Sequence, residues 1–292
     1  MSRTKINKVF IVGTIAEVDV DVREQKTTGK NFISGKVVIN CNIDGKDNLV
    51  EVRVIANELN KDGTKNKNFI SYSNLPAMLG KRVKVSGELN DEKMVKDDTI
   101  IHFNTIRGTF FNNARSDEAD QATFEFSGFV VKAINERKNK EDETIGYRIE
   151  IAQANYNDTN MKVIRFDIHK NDVNIAQAIE SNYVVGSTVK IQGKISYDTR
   201  VETREEEVSF GEANKKTVVY TDKVYRITGG SEPLDEDNAE CYPVSEIQAL
   251  VAAYKTADAD RLAKAQADAE PAQPEVSAAG KKMSGLISNS LI

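Results

Sequence analysis

The chain has 292 residues, of which 29% are charged and 39% apolar. That composition suits a folded chain and argues against an intrinsically disordered one. No apolar run approaches the ~20 residues that cross a bilayer. The basic start MSRTKINK has no apolar stretch behind it, so neither a membrane span nor a signal peptide is expected.

The net charge of −5 is unevenly spread. Residues 1–112 carry 18 Lys and Arg against 14 Asp and Glu, whereas residues 231–292 carry 5 against 11. The acid is concentrated at the end, and the first third is mildly basic. The only cysteines are Cys41 and Cys241, and the only histidines His102 and His169. None has disulfide-framework or metal spacing, so reduced thiols, a cytoplasmic location and no metal or cofactor are expected.

In chain order, Val9 to Ile15 (VFIVGTI) alternates and carries a central Gly. Strands follow at Ile33 to Cys41 and Val50 to Ala56. A short helix is expected at Ser73 to Leu79. Then comes GKRVKVSG (Gly80 to Gly87), a turn glycine followed by apolar–polar alternation and a glycine within the strand. Alternation marks a strand with one buried face, and a Gly inside it marks a bulge or a sharp bend. A last strand runs from Thr99 to Gly108. The same order then recurs: FEFSGFV (Phe124 to Val130), YRIEIA (Tyr147 to Ala152), VIRFDI (Val163 to Ile168), a helix over Asn174 to Tyr183, GSTVKIQG (Gly186 to Gly193), and TDKVYRITG (Thr221 to Gly229).

Each unit thus reads β-β-β-α-β-β over about a hundred residues, a usual domain size. Antiparallel strands in this number could form a sandwich. A single helix between the third and fourth strands, found twice, favours a five-stranded OB-type barrel. The expected fold is mainly β: a first OB barrel over residues 1–112, a polar linker over 113–121 and a second OB barrel over 122–230. Residues 231–292 hold an acidic segment, a helix over Val244 to Glu270 with Ser245 as its N-cap, and a flexible C-terminal tail.

The strand order, the opening NKVFIVGTI (Asn7 to Ile15) and GKRVKVSGEL (Gly80 to Leu89) resemble single-stranded DNA-binding proteins of the bacterial and bacteriophage OB type. The resemblance covers residues 5–110 best and 122–229 more weakly. The chain departs from that family in having no Trp. Its acidic run (Glu232, Asp235, Glu236, Asp237) also lies far from its apolar end. The resemblance implies sequence-tolerant binding of single-stranded DNA, with RNA as an alternative, in replication, recombination or repair. It implies a bacteriophage setting in the host cytoplasm, and replication proteins recruited through the C-terminal tail.

Such binding needs cations for phosphates and flat side chains for bases, each stacked base contributing about 1–3 kcal/mol. The loop Val22 to Phe32 offers Arg23, Lys26 and Lys30 beside Phe32. Alternation turns Gly35, Val37, Ile39 and Cys41 inward and Phe32, Lys36 and Asn40 outward. It likewise turns Val50, Val52 and Val54 inward and Arg53 outward, with Arg165 as the counterpart of Arg53. Lys65 and Lys67 sit in the loop Lys61 to Phe69, and Lys84 and Lys190 share a place in the glycine motif. The second unit adds Lys138 in ERKNK and Arg148 in its second strand. Any of these lysines could equally be solvated surface charge, Phe32 could be a core or rim residue, and the two arginines could form cross-strand ion pairs. The Glu205–Glu207 run in the last hairpin repels phosphate and suits a protein contact.

No GxSxG, GxxxxGK[ST] or GxGxxG motif occurs, so no enzyme activity and no small-molecule substrate are expected. The rival reading is a structural or adaptor protein whose barrels bind protein, since OB barrels serve both uses.

Overall fold

The computed structural model describes residues 3–139, 141–206 and 214–269. Five strands come first: β1 (Asn7–Glu24), β2 (Asn31–Ile43), β3 (Lys46–Asn57), β4 (Arg82–Lys96) and β5 (Thr99–Asn113). β1 pairs with β2 and β4, β2 with β3, and β4 with β5, all antiparallel. A parallel bridge from β3 to β5 closes the circuit into a barrel. Five more strands follow: β6 (Gln121–Lys138), β7 (Thr144–Ala154), β8 (Met161–His169), β9 (Thr188–Glu206) and β10 (Asn214–Gly230). Their pairings are β6–β7, β7–β8, β8–β10, β10–β9 and β9–β6, with β8–β10 parallel.

Period-two alternation puts the branched residues inside. Val37, Ile39 and Cys41 of β2 and Val50, Val52 and Val54 of β3 are buried, as are Ile164 and Phe166 of β8. Each fully buried Val or Ile contributes about 1.5–3 kcal/mol. The glycine motif has a steric cause. A Cβ on Gly87 would strike the carbonyl oxygen of Arg107, and one on Gly193 that of Arg226. At both places one strand crosses closely over its neighbour.

The helix of the first unit starts earlier than the sequence suggested. α1 spans Lys67–Ser73, and a 3-10 turn covers Leu75–Met78. Asn66 caps α1 by accepting a hydrogen bond from the Asn68 amide at 2.9 Å, which draws the helix start back into the basic loop. Tyr72 of α1 is buried, donates its hydroxyl to the Gly108 carbonyl at 2.9 Å and meets Phe111 edge-on. α2 spans Val173–Asn182, between β8 and β9.

The two sets of strands share one sheet. β1 also pairs with β6, from Asn7 opposite Phe126 to Val12 opposite Gln121. Buried amides tie them further. Asn48 donates to the Ile195 carbonyl at 2.9 Å and accepts from the Tyr197 amide at 2.8 Å. Asn104 does the same with both backbone groups of Arg165, at 2.6 and 3.1 Å. Each side chain thereby supplies the donor and acceptor that a neighbouring strand would supply.

α3 (Val244–Ala269) packs against β4, β5 and β8. The Pro243 carbonyl accepts from the Ile247 amide at 3.0 Å, so Ser245 lies inside the first turn and is not the N-cap. Tyr242 packs on Phe129, and Leu250 is buried beside them. The tip of the last hairpin (207–213), including Glu207, and the tail from residue 270 lie outside the described residues, as do the side chains of Glu205 and Glu206. Among the described residues no helix is long and apolar enough to cross a membrane.

Candidate nucleic-acid interface

The strand register brings three cations into one row on the first barrel. Lys36 of β2 lies opposite Arg53 of β3, and Arg53 is bridged to Arg107 of β5. With Arg23 they line an open cleft of about 440 Å³, together with Asp19, Glu51 and Glu92. Arg53 pairs with Glu92, and with Glu51 at 3.4 Å. Its guanidinium lies 5.9 Å from the Phe103 ring. Lys36 pairs with Glu17 at 3.0 Å, and the hydrogen bond to Glu17 raises its pKa. Arg107 is exposed and has no ion-pair partner within 4.0 Å among the described residues. Two cations of the row are ion-paired with carboxylates, and the third, Arg107, is open and can accept a phosphate.

Sequence reasoning missed Arg107 and Phe103. The signal was available in the strand order, because the fifth strand of such a barrel lies beside the third. An outward cation on the last strand therefore meets an outward cation on the third.

The counterpart assigned to Arg53 is corrected by the register. Val9 and Phe124 face Gly87 and Gly193, while Ile15 and Val130 face Ile39 and Ile151. Those two in turn face Val50 and Ile164. Carried along the strands, this places Arg53 with Asp167 and Arg165 with Glu51. A slip of two residues leaves every side chain on the same face, so alternation cannot reveal it. In the second unit the row is Arg148, Asp167 and Arg226. Asp167 accepts from Arg148 and from Arg137, each at 2.8 Å, and Arg226 pairs with Asp172 at 2.7 Å.

The other predicted cations are scattered. Lys26 and Lys30 are exposed in the β1–β2 loop. Lys30 lines a cleft of about 460 Å³ with Lys61. Lys65 is exposed, and its backbone bridges Leu59. Lys67 opens α1, and Phe32 is half-buried opposite Asn57. Lys138 pairs with Asp142 at 3.0 Å. Arg165 reaches Glu150 at 3.8 Å.

Lys84 and Lys190 do occupy matching places, opposite Val12 and Ser127, but both are engaged. Lys84 lies 5.7 Å from the Phe10 ring and pairs with Glu118, between the two units, at 2.5 Å. Lys190 pairs with Glu240 of the acidic segment at 2.5 Å. These hydrogen bonds hold both glutamates below the usual carboxylate range.

α3 borders this surface. Tyr254 donates to Asp91 at 2.5 Å and stacks on His102, while Asp258 pairs with Lys93 at 2.6 Å. Asp258, Arg261 and Arg107 line a common cleft of about 650 Å³. Burial pushes the Cys41 thiol up to about 12, so it stays protonated.

Among solved structures, the wild-type single-stranded DNA binding protein from Thermus aquaticus is similar, with a TM-score of 0.51 and 13% identity over 81% of this chain and 97% of that one. A deletion mutant of the same protein gives a TM-score of 0.49 and 14% identity, over 82% of this chain and 100% of that one. The wild-type likeness is one of fold, in keeping with a closed five-stranded barrel of the OB type. No curated protein matches the chain. The YorF family model matches residues 5–264, nearly the whole of the described chain, and the protein belongs to the YorF family.

Proposed function

We propose that this protein binds single-stranded DNA without sequence preference and without chemistry. The observation that carries the reading is the row Lys36, Arg53 and Arg107 across β2, β3 and β5, with the Phe103 ring beside it. Cations in line serve successive phosphates, and an aromatic face serves a base. The fold likeness to a protein named for single-stranded DNA binding supports the same reading.

The second set of five strands is a second OB-type barrel, on the strength of its matching pairings, and residues 1–112 and 122–230 are the two domains. Strand coating of this kind serves replication, recombination or repair. The sequence resemblance favours a bacteriophage setting in the host cytoplasm, and the C-terminal tail is the element for recruiting replication proteins. Of the predicted residues, Lys36 and Arg53 are the main phosphate contacts, joined by Arg107. Lys26, Lys30, Lys65 and Lys67 act as outer contacts.

One observation favours an adaptor role instead. Lys84 and Lys190 are both neutralised by acidic segments of the chain itself, which leaves those faces better suited to protein than to phosphate. Fluorescence anisotropy of a labelled dT oligonucleotide and a matching duplex, at several salt concentrations, separates the two. Salt-sensitive binding of the single strand alone is expected; no binding at low salt overturns the DNA reading.

A further inference from the structure

The basic row does not end at the first barrel. Glu51 Oε1 is 3.4 Å from Arg53 and also 3.4 Å from Lys223 of β10. Phe103, beside Arg53, lines a second cleft of about 300 Å³ on the seam between the two units. Arg137, Arg148, Arg165 and Lys223 also line it, against Asp167 and Asp222. All three hydrogen bonds that Arg137 and Arg148 make to Asp167 go to its Oδ1. One carboxylate therefore serves two guanidinium groups; the four lining cations face two lining carboxylates, with Glu150 3.8 Å from Arg165 and Glu51 shared between Lys223 and Arg53. Arg165 Nη1 is buried with no hydrogen-bond partner among the described residues. Asn104 of β5 holds the Arg165 backbone from the first unit, which ties this position of β8 to the seam.

The geometry points to a second phosphate site in this seam, built by both units and continuous with the first-barrel row through Phe103. A single strand would run along Lys36, Arg53 and Arg107, stack at Phe103 and place a later phosphate against Arg165 and Lys223. The chain then has one continuous binding track in place of two separate barrel faces. This inference rests on the single-stranded DNA reading and adds to it the path of the strand.

The test uses the full chain, with Arg165→Gln and Lys223→Gln as separate variants. Thermal unfolding checks that each is folded. The readout is anisotropy on dT oligonucleotides in a length series spanning the ~4–16 nucleotides that one OB barrel takes. The expected result is unchanged affinity for the shortest oligonucleotides and a roughly tenfold loss on the longest. The slope of log K against log salt should fall by ~0.7 for each variant on the long strand. Wild-type binding with both variants equal to it at every length overturns the seam site and leaves the row intact. Equal losses at short and long lengths also overturn it, because the seam would then not be a separate, later contact. Absence of wild-type binding at any length overturns the DNA reading itself, and the track with it.

Discussion

The two rows of charge sit at the same place on two similar sets of strands and differ mainly at the centre. In the first unit the row reads Lys36, Arg53, Arg107; in the second it reads Arg148, Asp167, Arg226. The central cation Arg53, paired with Glu51 and Glu92, leaves Arg107 beside it without a carboxylate partner among the described residues. A carboxylate there binds the flanking arginines and neutralises the row from within. The register and the inward residues are kept, so the difference teaches that one central side chain sets the electrostatic use of the face. On the proposed single-stranded DNA reading, the first unit is the primary contact, and the second contributes where its arginines reach the seam.

The largest effect on this comparison comes from uncoupling the two units. Asn48→Ala strands the Ile195 carbonyl and the Tyr197 amide in the interior. Each such orphan costs ~1–3 kcal/mol, so a loss of about 3 kcal/mol in urea unfolding is expected. A loss below about 1 kcal/mol would mean that the Asn48 bonds add little to the β1–β6 pairing and the Asn104–Arg165 bonds.

Next comes the first row itself. Arg53→Ala and Arg107→Ala should each weaken dT binding about tenfold, or ~1.4 kcal/mol. Together they should lower the salt slope by ~1.4 for two lost phosphate contacts. Arg226→Ala, at the end of the second row, removes a cation from the row that has Asp167 at its centre and should change affinity by less than about twofold. Equal losses from the two rows would erase the distinction drawn between them.

Asp167→Asn tests the central position directly. It releases Arg137 and Arg148 from their shared carboxylate, so dT affinity should rise while stability falls. Breaking a fully buried pair costs ~3–5 kcal/mol. The two arginines are about a third exposed, so ~1–2 kcal/mol is the expected loss once solvent screening is counted. Titration calorimetry and thermal unfolding of the same sample read both signs.

Much of this architecture was legible before the coordinates. The glycine motif, the alternation in β2 and β3 and the helix after β3 come from period and turn chemistry, which are local. The site was less legible. The outward places of Arg53 and Lys36 were legible because their own strands alternate. Arg107 and Phe103 were not, because their importance comes from the β3–β5 bridge and the seam, both long-range. The Arg53–Arg165 equivalence failed because a two-residue slip preserves alternation. The partners of Lys84 and Lys190 lie 34 and 50 positions away in sequence, beyond any local pattern.

The smallest expected effect concerns those two lysines, and it has a definite sign in pH. Glu118 has a lowered pKa, chiefly from its hydrogen bond to Lys84. A carboxylate with a depressed folded-state pKa stabilises above its unfolded value, ~4.3 for Glu, and loses that contribution as pH falls through the folded value. At neutral pH the clamp is therefore fully formed and Lys84 is neutralised. Lowering the pH below the usual glutamate range frees it, and Glu118→Gln frees it at every pH. If Lys84 touches DNA once released, Glu118→Gln should raise dT affinity at pH 7, by less than about threefold because the pair is near the surface and screened. The gain should shrink as pH approaches the point where wild-type Glu118 is itself protonated. A pH-independent gain would point to a change in general charge and away from release of Lys84. No gain at pH 7 would keep Lys84 out of the interface and assign its pair with Glu118 to joining the two units.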